Sequence, residues 1–212
     1  QWDWEKVIRK EDRTSDYLHF VVSEIYSVFL RTETYINSVY PYILSKKLPN
    51  SIYFMTTQEL EDMYPELTPK EREDAICREK KAVFLQGIGG DLESGAPHDG
   101  RSPDYDDWKL NGDILFYNPV TDSALELSSM GIRVDEESLK HQLEISGMTD
   151  RMELDYHKNL MAGDLPYTIG GGIGQSRICM FFLEKKSIAE VQASVWPESF
   201  IMDATLRGEV IL

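Results

Sequence analysis

The segment Tyr167–Arg177 constrains this chain more than any other. A strand-like run, Tyr167–Ile173, carries glycine at 170, 171 and 172, a fourth glycine follows at 174, and Arg177 falls on the first turn of an apolar helix read over Gln175–Lys186. Glycine inside a strand loses more entropy on folding than any other residue and packs nothing, so such a series marks a place where something approaches the backbone closely. A helix start behind it offers unpaired N–H groups and a partial positive charge, both suited to phosphate. An arginine there can clamp a phosphate or stack on a base. Gly170, Gly172, Gly174 and Arg177 are therefore read as a nucleotide-binding turn. No Gly-Lys-Ser/Thr follows, which excludes a Walker P-loop.

Around this segment the periodicities predict an α+β chain. Thr14 and Ser15 head a helical pattern (Leu18, Val21, Val22, Ile25, Val28, Phe29) that runs to about Lys47, with Pro41 breaking or bending it. Ile52–Thr56 reads as a strand. Thr56–Glu59 and Thr68–Glu71 are capping-box patterns that open two helices, the second with Pro69 at its first position. Ala82–Ile88 reads as a buried strand, Asp91–Trp108 as a polar loop, and Asp113–Val120 and Ser123–Val134 as a hairpin around Asn118-Pro119. Helices are expected over Asp135–Ser146 and Asp150–Ala162. Gln1–Glu5 alternates like the end of a half-buried strand, and short strands are expected at the chain's end.

The hairpin carries a second signal. With its turn near Pro119-Val120, Asp113 is expected opposite Glu126, which puts two carboxylates on one face. Such a pair repels unless a cation lies between, and magnesium held with phosphates uses one or two carboxylates, so Asp113 and Glu126 are the candidate metal ligands. Arg133 lies at odd spacing from Glu126 and is expected to reach the same site through a bend at Gly131. The acids of the 97–108 loop could orient an ammonium or amino group.

Composition narrows the function. Acids outnumber bases 37 to 22, for a net charge of −15, and no basic cluster is present, which argues against a nucleic-acid footprint. No apolar run is long enough to span a membrane and the first residues are no signal peptide. Cys77 and Cys179 are read as two buried free thiols, which predicts a reducing, cytoplasmic setting.

Gln1–Glu5, the Gly87–Gly90 end of the 83–90 run, Pro103–Trp108, Leu110–Leu115, Glu126–Arg133, Gly170–Arg177 and Val191–Pro197 together resemble ammonia-dependent asparagine synthetase, in order and over nearly the whole chain. The resemblance implies a class II aminoacyl-tRNA synthetase-like fold, an antiparallel sheet flanked by helices, as a single catalytic domain and a homodimer. It implies ATP and Mg²⁺, with aspartate and ammonia as the other substrates, and asparagine formed through β-aspartyl-AMP. It assigns Arg177 and Glu126 to ATP, Asp113 and Glu126 to the metal, and Gln1, Asp3, Asp106, Ser129 and Arg133 to the aspartate pocket, with Arg177, Asp106 and Arg133 as the catalytic set. It also implies a further segment before Gln1, carrying a second ATP-binding arginine and an aspartate-binding lysine, and a longer loop near 108–110. A chain starting at Gln1 is expected to lack synthetase activity. Two alternatives stay open: an aspartyl- or asparaginyl-tRNA synthetase core, and a non-catalytic truncated relative that binds nucleotide.

Overall fold

The computed structural model describes residues 1–212. Its centre is a six-stranded sheet of β1 (Trp2–Val7), β2 (Tyr53–Thr56), β3 (Ala82–Gln86), β4 (Asp106–Asn118), β5 (Ser123–Arg133) and β6 (Thr168–Ile173), in the spatial order β1-β6-β5-β4-β3-β2. All neighbours are antiparallel except β2 and β3, which run parallel. The sheet is thus mixed rather than purely antiparallel, because two helices and not a hairpin join β2 to β3.

Seven α-helices accompany it: α1 (Ser15–Val39), α2 (Thr57–Met63), α3 (Pro69–Lys80), α4 (Glu136–Ile145), α5 (Asp155–Met161), α6 (Gln175–Phe182) and α7 (Glu198–Leu206). The expected caps form. Thr14 accepts from the Tyr17 amide, and Thr56 and Thr68 make reciprocal capping boxes with Glu59 and Glu71. Helix α1 stops at Val39, before Pro41, because a proline disfavours helix at the residue ahead of it and has no N–H to donate. Four further expectations are corrected. The 150–162 helix divides into a 3₁₀ turn (Thr149–Glu153) and α5, β4 begins at Asp106 instead of Asp113, β1 is an almost wholly exposed edge strand, and the chain's end holds α7 in place of strands. Cys77 is buried in α3, whereas Cys179 is exposed on α6.

The two sheet faces are built differently. On one, Phe84, Ile114, Phe116, Leu127, Met130 and Ile169 meet Leu18, Val22, Tyr26 and Phe29 of α1 and Phe181 and Phe182 of α6. Phe116 is the hub, with ring centroids 5.9 Å from Tyr26, 5.3 Å from Phe29 and 5.2 Å from Phe181. On the other, α2 and α3 cover Val83, Leu85, Leu115 and Ala124 with Leu60, Ile76 and Cys77. The remainder of that second face, over β1, β6 and the end of β5, contributes to none of the apolar clusters and carries polar residues.

Phe116→Ala removes a fully buried ring shared by three aromatic partners and is expected to lower the unfolding free energy by about 3–5 kcal/mol in urea titrations.

Candidate active site

The register of β4 and β5 decides which side chains share the open face. Asp113 stands opposite Ser129, and Glu126 opposite Leu115, because the pairing shifts by one residue between Ile114 and Leu115. Leu127 is the extra residue, a β-bulge. The expected Asp113–Glu126 pairing is therefore corrected, yet both still face the same side. Strict alternation would send Glu126 and Ser129 to opposite faces. The bulge turns Leu127 and Ser128 both toward the α1 core, so Glu126, Ser129, Gly131 and Arg133 all project to the open face. The bend that brings Arg133 round is thus at Leu127 and not at Gly131. Gly131 serves a different need: a Cβ there would lie 2.7 Å from Asn111 Cβ and 2.8 Å from Asp106 Cγ.

Strands β1 and β6 extend the same surface. Asp3 pairs with Gly172 and Glu5 with Gly170. A Cβ at Gly170 would collide with the Glu5 carboxylate, and one at Gly172 with the Gln1 amide, with Asp3 Oδ1 at 3.0 Å. The glycines make a bare floor over which the Gln1, Asp3 and Glu5 side chains lie. Gln1 donates from its amide to Asp3.

A cavity of about 320 Å³ opens above this floor, lined by Gln1, Asp3, Arg101, Tyr105, Asp106, Glu126, Leu127, Ser129, Gly171, Gly172, Gly174 and Arg177. A neighbouring pocket of about 480 Å³ shares Glu126 and Arg177 and adds Asp113, Lys70, Glu73, His98 and Asp99. Of the residues expected from sequence, eight line the first cavity, Asp113 lines the second, and Gly170 and Arg133 lie just behind the wall. A larger pocket, about 950 Å³, lies elsewhere, between α2 and α4, and holds none of them.

Every cation here is already engaged. Arg133, 7% exposed, donates through Nε and Nη2 to both Glu5 oxygens (2.9 and 2.8 Å), through Nη1 to Asp106, and through Nη2 to the Tyr105 hydroxyl at 3.0 Å. Burial favours neutral Arg133, but Glu5 and Asp106 outweigh it and raise its pKa, so it stays charged. Burial would also raise Glu5, and the hydrogen bonds from Arg133 and Thr168 overturn that and hold it below its ordinary value. Arg177 donates from Nη1 to the Glu126 carbonyl at 3.0 Å and lies 3.1 Å from Glu126 Oε1. Arg101 donates to both oxygens of Asp113. Burial, with Glu126 as a further like charge, pushes Asp113 up to about 6 despite Arg101. Gly174, the residue ahead of α6, has no side chain to cap the helix, so its first amides are open.

Buried polar residues hold the irregular segment 103–111 in place. Gln142 donates to the Pro103 and Asp106 carbonyls (2.9 and 3.0 Å) and accepts from the Trp108 amide at 2.9 Å, and Asn111 exchanges two hydrogen bonds with Ile88. Arg13 donates to the Arg133 carbonyl and pairs with Asp107 at 2.9 Å and Asp135 at 3.0 Å. Of the loop acids, Asp106 enters the site, while Asp104 pairs with Arg151 and His157.

The sequence that builds this groove matches a known family over nearly its whole length. The family model described as aspartate-ammonia ligase covers residues 1–207. The chain belongs to the aspartate-ammonia ligase family. An aspartate–ammonia ligase of Clostridium tetani is 61% identical over 212 residues, which are 100% of this chain and 62% of that protein. One from Ruminiclostridium cellulolyticum is 62% identical over the same length and 63% of its own. The chain thus spans about three-fifths of these relatives. Among solved structures, the asparaginyl-tRNA synthetase of Pyrococcus horikoshii superposes with a TM-score of 0.62 at 15% identity, over 92% of this chain and 49% of that one. The aspartyl-tRNA synthetase of Entamoeba histolytica gives 0.58 at 16%, over 90% and 41%. The family's fold is that of the class II aminoacyl-tRNA synthetases.

Glu5 and Arg101 were not singled out from sequence. Glu5 continues the alternation of Gln1 and Asp3, and that period places it on their face. Because its folded pKa lies below the ordinary 4.5, its contribution to stability is full above that value and is lost as pH falls through the folded one. Glu5→Gln is expected to flatten this acid-side loss in denaturation curves measured between pH 5 and pH 3.

Proposed function

We propose that the protein makes asparagine from aspartate and ammonia at the expense of ATP, through a β-aspartyl adenylate, with residues 1–212 as its catalytic domain. The observation that carries this is the shared face on which Asp3, Asp106, Glu126, Ser129 and Arg177 line one cavity beside Asp113, in a chain of this family. One neighbour with this fold was solved with asparaginyl-adenylate bound, which fits an acyl-adenylate chemistry.

In this reading the backbone at Gly172 and Gly174, which line the cavity, lets the nucleotide lie close, Gly170 makes room for the Glu5 carboxylate, and the open amides of α6 with Arg177 meet the phosphates. Glu126 and Asp113 offer oxygen donors only, and two carboxylates completed by phosphate oxygens are the sparse set that magnesium accepts. Bound there, Mg²⁺ would neutralise the phosphates and make the α-phosphorus more electrophilic. The substrate's α-ammonium group fits Asp3, Asp106 and the Gln1 carbonyl, with Ser129 bonding beside them. A substrate carboxylate fits Arg133, replacing Asp106 on its guanidinium and leaving Asp106 free to hold the ammonium.

With aspartate so held, its side-chain carboxylate attacks the α-phosphorus, the bond to pyrophosphate breaks, and an acyl phosphate forms. Ammonia then attacks the acyl carbon, AMP leaves with the carboxylate's former oxygen, and asparagine remains. No side chain forms a covalent bond. The residues contribute position and charge. A net charge of −15 fits small substrates better than tRNA. A homodimer and a cytoplasmic setting complete the reading, and no helix is long and apolar enough to cross a membrane.

Product analysis of the full-length protein with aspartate, ammonium and Mg-ATP tests this: AMP and asparagine should appear in equal amounts, whereas ADP would exclude the adenylate. Arg133→Lys should cost about 2–3 kcal/mol in kcat/KM for aspartate, roughly a hundredfold, with the Kd for Mg-ATP unchanged. Because Asp113 takes up a proton at about 6, Mn²⁺ affinity measured by titration should fall as pH drops through that value, toward a tenfold loss per pH unit at the limit. Asp113→Asn should bind weakly and without that pH dependence.

A further inference from the structure

One charged side chain in the cavity belongs to none of the roles above. Arg101 sits on the loop between β3 and β4, with its side chain 18% exposed. It lines the 320 Å³ cavity with Glu126 and Arg177, while its partner Asp113 lines the adjoining pocket with the same two residues. Its guanidinium therefore lies where the two spaces meet. One nitrogen, Nη2, donates to both Asp113 oxygens. Nη1 is 3.8 Å from Asp99 and makes only a long bond, 3.4 Å, to the Gly100 carbonyl. Nε is buried with no partner.

Two facts follow from this geometry. Asp113, 5% exposed, has Arg101 as its one paired cation, and a buried carboxylate without a counter-charge is costly. Arg101 therefore supplies Asp113 with the counter-charge that a divalent cation could also supply. A divalent cation on Asp113 would lie against that guanidinium, and two like charges held so close in a buried site repel, so the two compete for the carboxylate. A guanidinium with an idle Nε and a barely used Nη1 still has donors for a planar or tetrahedral anion, and the anions that arrive with the cation are phosphate oxygens.

We propose that Arg101 is a further nucleotide-binding residue that occupies the cation's place on Asp113 while the site is empty and moves onto the phosphate chain when the cation takes that place. The inference rests on the nucleotide reading of the cavity given above. It makes phosphate and cation binding mutually dependent: each releases a group that the other needs, so cation alone binds poorly and cation with phosphate binds well. It also explains why the site can be assembled before any ligand arrives.

The test uses the full-length protein and two probes, Mn²⁺ alone followed by electron paramagnetic resonance, and magnesium pyrophosphate followed by calorimetry. Arg101→Gln removes the competing cation and the phosphate donor at once. Mn²⁺ affinity without nucleotide should rise about tenfold, and pyrophosphate affinity should fall about tenfold. Arg101→Lys retains a cation and should restore the low Mn²⁺ affinity while recovering only part of the pyrophosphate affinity. A structural clasp would behave otherwise: Arg101→Gln would leave Mn²⁺ affinity unchanged or lower it, and either result overturns the proposal. Thermal denaturation of the variants shows whether such a loss reflects unfolding, and Arg101→Lys then decides the sign. Mg-ATP binding by the unmodified protein separates the two levels. If it binds and the variants lack opposed shifts, the inference on Arg101 alone is wrong. If it does not bind, the nucleotide reading fails and the inference fails with it.

Discussion

The bulge at Leu127 is the constraint on which the rest depends. Strand β5 has two duties that strict alternation cannot serve together: it supplies apolar side chains to the α1 core and a carboxylate, a hydroxyl and a guanidinium to the open face. One extra residue solves this by turning Leu127 and Ser128 both inward. Downstream of it Ser129, Gly131 and Arg133 join Glu126 on the polar side. The cost is local, a broken ladder and a buried Ser128 hydroxyl without a partner. The gain is a core and a site back to back on one strand.

Charge on the open face follows a single pattern. Arg177 is matched by Glu126, Arg101 by Asp113, and Arg133 by Glu5 and Asp106. In a strongly acidic chain each of these arginines is thus held beside a carboxylate and none is left bare. Under the proposed function, binding is an exchange of partners rather than the creation of new ion pairs, and exchange avoids most of the desolvation that a buried charge otherwise incurs. The glycines of β6 make the exchange possible, since side chains at Gly170 and Gly172 would fill the space in which Glu5, Gln1 and Asp3 lie.

What could be read from sequence was what is decided locally. The caps at Thr14, Thr56 and Thr68 form as their spacing predicts, and the glycine series does run into a helix with Arg177 on its first turn. The partnership of Asp113 with Glu126 survived only in part, since a bulge is chosen by tertiary packing and leaves no mark on the spacing. Strand β4 starts early because Gln142 of α4 and Arg13 at the head of α1 brace residues 103–111 from far away in sequence. Helix α7 was hidden because its apolar residues have no strong helical period, and it is anchored by one small buried residue, Ala204, with Phe200 against Trp196. Glu5 was hidden for the opposite reason: it lies on the exposed edge strand, and its partner Arg133 is 128 residues away.

Under the proposed function this face activates a carboxylate by joining it to AMP. The measurement that reaches it most directly is oxygen transfer from aspartate labelled with ¹⁸O in its side-chain carboxylate, with ammonium and Mg-ATP, read by mass spectrometry of the products. An acyl-adenylate route puts one labelled oxygen in AMP for each asparagine formed and none in pyrophosphate. Label recovered in inorganic phosphate alongside ADP, or AMP released without label, would contradict it.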